Sequence, residues 1–316
     1  MALYQLTRNV FVQDANDNAD GLAPVTLSKI SCSPSGNVAH ISHVVNWYKG
    51  DQEAASIQDA TAKSIMVAAR SPNIEPIKSI ACIAEDEVVT VPHGFVSSRP
   101  LTRTVLDVGT FGVPRRLSLL FDILERGAEC AYPDGFLIFT NTDICLQPNF
   151  YNAVKAMLSH GFDCLVINRR TVSSLARYEG FEEFGMMESG TRHPGFDCFV
   201  FPVAWVGDFV RSHACVGAAA VMRSLLYNLV ARAQAMLIMR DAHLTYHFGD
   251  NKILRNDKLK DYTVFNLNQA GSVLTALCNK PEYRNTLAEF CRAHNEPFQV
   301  SPPETLRVLA VTQRGR

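Results

Sequence analysis

The stretch FLIFTNTDICLQPNFY, Phe136 to Tyr151, decides how this chain is read. Phe136 to Phe139 are apolar without a break, a short run of the kind buried on both faces of a parallel sheet. Asn141, Thr142 and Asp143 follow, then apolar character returns, and Pro148 opens a helical pattern carrying Phe150, Val154, Met157 and Leu158 and ending at Gly161. An aspartate just past a strand often caps the next helix. Here the helix signal starts several residues too late for Asp143 to serve. On an extended segment, residues two apart point the same way, so Asn141 and Asp143 can reach one hard cation. A magnesium or manganese ion held by one or two protein oxygens takes its remaining ligands from phosphates and water. That chemistry suits a diphosphate.

Outward from this strand, apolar runs alternate with helical patterns. VAHISHVVNWY, residues 38–48, reads as the first ordered strand, and DQEAASIQDATAKSIMVAARSP, residues 51–72, as a helix that stops at its proline. IKSIACIA is strand-like and ends at Glu85, Asp86 and Glu87; RTVLDV reads as another strand. PRRLSLLFDILERG opens with Pro114 and closes with Gly127, a helix by both signals, and DCLVIN and DCFVFP supply two further strands. This order predicts an α/β domain, Rossmann-like, with a mostly parallel sheet flanked by helices, because parallel neighbours need crossovers that helices fill. Ligands of such sheets bind at the carboxyl ends of the strands, where Asp143 falls. Residues 1–36 read as an irregular lead-in to one domain over 1–270. Residues 271–316 read as a helical C-terminal extension broken at Pro281.

Composition narrows the classes. In 316 residues, 47% are apolar, 19% are charged, and the formal net charge is −1, which fits an ordinary enzyme-sized protein and offers no basic field for nucleic acid. Nine scattered cysteines without a CxxC pair fit reduced thiols in a cytoplasmic protein rather than a disulfide framework or a zinc site. The N-terminus shows no signal-peptide pattern, and the longest apolar stretch is too short and acidic for a transmembrane helix.

FLIFTNTDICLQPNFY resembles the Asp-X-Asp segment of the metal-dependent A-type glycosyltransferases, the nucleotide-diphospho-sugar transferases. The resemblance is firm over residues 136–151 and looser over 193–202 and 241–250. It implies a GT-A-like fold and a sugar transferred from a nucleoside-diphosphate sugar, UDP foremost, to a hydroxyl acceptor such as a glycan. It also implies Mn2+ or Mg2+ on the diphosphate. Asp143 matches the metal-coordinating position. Asn141 stands where the family has its first aspartate and contributes no negative charge, leaving it and Thr142 to donor contacts. In RHPGFDCFVFP, Asp197 matches an acceptor-side carboxylate that serves inverting enzymes as general base, with His193 and Gly195 beside it. In DAHLTYHFGDN, alternation places His243, Thr245 and His247 on one face before a glycine turn. His247 resembles the family's downstream metal ligand; histidine suits manganese better than magnesium. Asp250 is a sugar-binding candidate.

Three basic sites offer forks for phosphate: Arg115 with Arg116, Arg169 with Arg170, and Lys252 with Arg255. The first pair is preferred, at the head of the helix leading to the metal strand, and Lys252 is added to the donor contacts. Glu85 and Asp86, ending an early strand, are placed to hold a ribose or base. The rival readings are a sugar-nucleotide pyrophosphorylase, which would need an early glycine-rich loop that residues 1–60 lack, and a noncatalytic nucleotide- or carbohydrate-binding protein of the same fold. A two-metal hydrolase would want more clustered carboxylates. A homo-oligomer is compatible with the sequence.

Overall fold

Val44 and Val45 are neighbours on one strand yet lie in two different hydrophobic clusters, one on each side of a large sheet. The computed structural model describes residues 2–7, 9–14, 40–71, 74–178, 182–193, 195–249 and 259–293. In chain order these form β1 (Ala2–Gln5), β2 (Val10–Asp14), β3 (Ile41–Trp47), α1 (Gln52–Ala69), β4 (Lys78–Ile83) and β5 (Phe95–Ser97). Next come α2 (Leu120–Cys130), β6 (Phe136–Thr140), β7 (Cys145–Leu146), α3 (Phe150–Ser159), β8 (Cys164–Ile167), β9 (Arg170–Val172) and β10 (Thr191–Arg192). The rest are β11 (Cys198–Pro202), α4 (Met222–Arg232), β12 (Met236–Met239), β13 (Thr245–Phe248), α5 (Lys260–Cys278) and α6 (Pro281–Ala293).

The large sheet runs β1-β2-β12-β8-β11-β6-β3-β4-β5. Strands β2, β12 and β8 are parallel to one another, as are β6, β3, β4 and β5. Between the two groups, β11 is antiparallel to both β6 and β8. The expected α/β class and mostly parallel sheet are therefore present. Residues of α2, α4, α5 and α6 pack against one face, with Leu137 and Phe139 of β6; those of α1 and α3 pack against the other, with Phe136 and Ile138. Every residue of β6 and β3 is buried, which is why both read as near-continuous apolar runs. The amino end of α1 is capped by Asp51, whose Oδ1 accepts from Ala54 N at 2.9 Å.

A smaller sheet, ordered β10-β9-β13-β7, stands beyond the carboxyl ends of β6 and β8. It joins segments a hundred residues apart, pairing Tyr246 with Cys145 and Thr245 with Leu146.

Several expectations need correction. The lead-in over 1–36 contains β1 and β2; β2 is held by parallel pairing to β12 and by Asn9, whose Nδ2 donates to Ala233 O at 2.6 Å. RTVLDV is no strand: Thr104 N and Oγ1 donate to Asp107 Oδ2 at 2.7 and 3.1 Å, closing a 3-10 turn over Val105–Asp107. Helix α2 starts at Leu120 rather than Pro114, because residues before it are tied elsewhere: Val105 N donates to Leu117 O, and Leu119 bridges to Cys215. The helix also continues past Gly127, where the missing side chain lets α2 approach β3; a Cβ there would stand 2.9 Å from Val44 Cγ2. The division at residue 270 falls inside α5, and Ala270, Val273 and Leu274 share the main core with α4. The eight cysteines among the described residues are free thiols. No helix among the described residues is long and apolar enough to cross a membrane.

Candidate active site

Because β11 runs antiparallel, its amino end lies beside the carboxyl ends of β6 and β8. Cys198 faces Thr140 on one side and Ile167 on the other. The residues just outside those pairs are Asp197, Asn141 and Asn168, so an aspartate preceding a strand arrives at the ligand-binding edge. There a cavity of about 480 Å3 is lined by Asn141, Asp143, Arg169, His193, Gly195 and Asp197. Its opposite wall is the run Gly217 to Arg223, with Thr263 and Leu267 of α5.

Residues 141–144 form a turn, closed by Ile144 N donating to Asn141 O at 3.3 Å, and not the extended segment expected. Asn141 and Asp143 nevertheless both line the cavity. Thr142 is buried and interacts with the Tyr48 phenol, away from the cavity lining.

Asp143 meets His247 across the pairing of β7 with β13: His247 Nε2 is 3.2 Å from Asp143 Oδ2. The other imidazole nitrogen, Nδ1, donates to the Gly249 carbonyl at 3.0 Å. Gly249 has φ +72°, a left-handed turn that glycine adopts without strain. His247 Nε2 is thereby aimed at the Asp143 carboxylate. Asp143 Oδ1 is buried without a partner. These residues fit a divalent ion, the histidine being oriented by a backbone carbonyl as metal-ligating histidines commonly are. Among the described residues no group of three or more His, Cys, Asp or Glu could hold a metal ion.

Asp197 is 7% exposed and paired with Arg169, whose Nη1 stands 3.3 Å from Asp197 Oδ1. Its second oxygen is 3.9 Å from His193 Nε2 and has no hydrogen-bond partner. Gly195 permits this packing, since a Cβ on it would lie 2.6 Å from His193 Nε2. The two carboxyls are pushed in opposite directions. Burial raises Asp197, only partly offset by Arg169, and the Asp143 charge adds to the rise. Burial would also raise Asp143, but the His247 hydrogen bond and charge, with Arg169, hold it below the ordinary carboxylate range. Burial lowers the His193 imidazole to about 4, so it is neutral at pH 7. Diverging pairs of this kind separate a permanently charged holder from a proton acceptor.

The other candidates lie elsewhere. Glu85 and Asp86 follow β4 at the same edge of the sheet, outside the cavity lining, and Arg116 Nε is 2.5 Å from Asp86 Oδ2 on the surface. Arg115 is exposed, its backbone N–H donating to Tyr262 Oη at 2.7 Å. His243, at φ +49° ahead of β13, contacts Gln147 rather than Asp143. Asp250, Lys252 and Arg255 lie outside the described residues. In place of Arg115 and Arg116, the cavity holds Arg169, 3% exposed, with Nε and Nη2 unpartnered. The signal available for it was its position directly after a buried strand. The Gly217–Val221 wall was not foreseen; its sequence mark is a glycine and three alanines before a helix.

No protein-family model matches this sequence, and no curated protein matches it. Solved structures that the chain matches include a mycobacterial protein, 14% identical, with 96% of this chain and 89% of that one covered at a TM-score of 0.39. They also include a proposed nucleotide-diphospho-sugar transferase from Desulfovibrio desulfuricans G20, 12% identical over 81% of this chain and 96% of that one, TM-score 0.35. A third is the galactosyltransferase LgtC in complex with donor and acceptor sugar analogues, 10% identical over 73% of this chain and 96% of that one, TM-score 0.37.

Proposed function

We propose that the protein is a metal-dependent glycosyltransferase that moves a sugar from a nucleoside-diphosphate sugar, UDP foremost, to a hydroxyl acceptor. The observation that carries this reading is the contact of His247 Nε2 with Asp143 Oδ2 at 3.2 Å, beside a cavity that Asp143 lines together with Asp197, a carboxyl of raised proton affinity. Asp143 and His247 would hold Mn2+ or Mg2+, with Asn141 on its neutral side reaching a ribose hydroxyl or metal-bound water. When bound, such an ion stabilises the charge of a departing diphosphate. Asp197 is the base for the acceptor hydroxyl if the configuration inverts: it lines the cavity, its Oδ2 has no hydrogen-bond partner, and a raised carboxyl accepts a proton more effectively than an ordinary one. Neutral His193 shields that oxygen from water. The free thiols accord with a reducing, cytoplasmic compartment.

Calorimetry with a panel of nucleoside diphosphates, with and without Mn2+, tests this on the wild type and Asp143→Ala. Binding of one nucleotide that needs the metal and is lost in the variant supports the reading. Binding indifferent to both would overturn it, and binding without turnover of any nucleotide sugar would leave the noncatalytic alternative.

A further inference from the structure

The cavity at the carboxyl edge of the large sheet has a lining of two kinds. Asn141, Asp143, Arg169, His193 and Asp197 belong to the ends of β6, β8, β10 and β11 and make one part polar and charged. The remainder is mostly apolar: Phe196, next to Asp197 in the chain, Ala218, Val221 and Met222 at the start of α4, and Leu267 on α5. Leu267 is 41% exposed, although α5 buries Tyr262, Asn266 and Ala270. Val264, one turn earlier and on the same side by helical spacing, is 39% exposed, so apolar surface continues from the cavity out along α5.

Polar groups in this second part are engaged within the protein. Fully buried Asn266 donates to the carbonyls of Cys215 and Ala219 at 3.0 and 3.1 Å and accepts from Cys215 N at 2.9 Å. The Ala220 carbonyl accepts from Arg223 N at 3.3 Å, and the Thr263 hydroxyl donates to Leu259 O at 3.2 Å. Arg223, in the first turn of α4, adds a charge to the lining. The turn keeps its side chains small: Gly217 and Ala220 take left-handed φ values of +81° and +64°, the latter unusual for alanine and of a kind that clusters at functional sites. A second sugar would turn several hydroxyls toward groups already satisfied, and a hydroxyl that leaves water without finding a partner is costly. An aliphatic group gains by leaving water and needs no partner.

We infer that the acceptor is an aliphatic alcohol rather than a second sugar, its carbon skeleton lying against Ala218, Val221, Met222 and Leu267. This rests on the glycosyltransferase reading for the role of that molecule. The polar part of the lining keeps a single locus for the diphosphate, at Asp143 with Arg169 acting on it, and leaves the alcohol's hydroxyl beside Asp197. The acceptor oxygen bonds to the anomeric carbon as the bond from that carbon to the diphosphate breaks. The bonding pair leaves with the diphosphate, and the hydroxyl proton passes to Asp197. A skeleton longer than the cavity leaves past Leu267 toward Val264.

1-Octanol is the probe, titrated by calorimetry into the full chain beside 1-butanol, 1-hexanol and glucose. It is expected to bind without nucleotide or Mn2+ and with a negative heat-capacity change, and affinity should rise about fourfold for each methylene added along the series. Binding should persist when saturating UDP and Mn2+ are present, weaken at least tenfold in Leu267→Asp, and survive in Leu267→Met. The side chain is exposed enough that the charged variant should fold, which its melting temperature checks, and the chain-length series needs no variant. Absence of octanol binding, indifference to chain length or to Leu267→Asp, glucose bound more tightly than octanol, or displacement of octanol by UDP would overturn the inference. If Mn2+-dependent nucleotide binding fails while octanol still binds in a Leu267-dependent way, the glycosyltransferase reading falls and takes the assignment to an acceptor with it. If the nucleotide binds and octanol does not, that reading stands and the aliphatic acceptor alone is overturned.

Discussion

His247 Nε2 faces Asp143 Oδ2 at 3.2 Å while its Nδ1–H is committed to the Gly249 carbonyl, so the ring is fixed in direction before any ligand arrives. Removing the imidazole should therefore act on the metal, not on the fold. In His247→Ala, Mn2+-dependent nucleoside diphosphate binding is expected to weaken at least ~10-fold, and Mg2+-dependent binding less, since nitrogen ligands matter less to the harder ion. Calorimetry with each metal measures both. Equal affinity in wild type and variant would show that His247 holds no cation.

Arg169 and Asp197 form a buried ion pair, and breaking such a pair from one side typically costs about 3–5 kcal/mol. Arg169→Met is expected to lose stability on that order at pH 7.5. The loss should be smaller at pH 5. Burial already raises the Asp197 carboxyl, so the native state binds a proton more readily than the unfolded chain, and Asp197 favours folding progressively less as pH rises through its folded value. Urea unfolding at the two pH values gives the comparison; an equal loss at both would show that the carboxyl is not stranded by the substitution.

Buried His43 lies between the Tyr151 hydroxyl at 2.8 Å and Thr140 Oγ1 at 2.9 Å, and burial lowers its imidazole to about 3. An unfolded histidine titrates near 6.5, so the unfolded chain takes up a proton first as pH falls. Its contribution is full above about pH 6.5 and is lost between there and about pH 3, up to about 5 kcal/mol. His43→Gln should flatten that acid limb in a melting-temperature series from pH 7 to 4. An unchanged slope would place the acid sensitivity elsewhere.

Gly127 faces Val44 across the α2–β3 contact, where an added Cβ would lie 2.9 Å from Val44 Cγ2 and 3.0 Å from its Cβ. Two effects compete in Gly127→Ala. Helix propensity gains up to about 1 kcal/mol, and overpacking costs about 1–3 kcal/mol. The backbone of a buried strand yields little, so net destabilisation of about 1 kcal/mol is expected by denaturant unfolding. A stabilised variant would mean that α2 can withdraw from the sheet.

Much of the fold was legible in the chain. β6, β8 and β11 are each runs of apolar residues between turn formers, α1 shows in its apolar spacing and its stop at Pro72, and α3 starts near Pro148. The failures share a cause. Pro114 and Gly127 carry the ordinary marks of a helix start and stop, yet the backbone of residues 117–119 bonds to Val105 and Cys215, and Gly127 answers to a strand rather than to a helix end. The strands β1 and β2 were hidden because β2 depends on a partner at Met236–Met239.

The site divides the same way. Local sequence singled out Asp143 at a strand tip, because that position depends on burial pattern and turn chemistry over a few residues, while Asp197 before a strand and His247 before a glycine turn were reached through the resemblance to the glycosyltransferase motifs. It could not bring the three together. That required β11 to insert antiparallel between β6 and β8, and β13 to pair with β7 a hundred residues earlier in the chain. Arg169 shows the limit most directly: as letters it is one of several exposed-looking arginine pairs, and only the closing of β8 against β11 buries its guanidinium beside Asp197. Periodicity and turn residues report on neighbours in sequence, whereas burial of a charge depends on which distant strands share an edge.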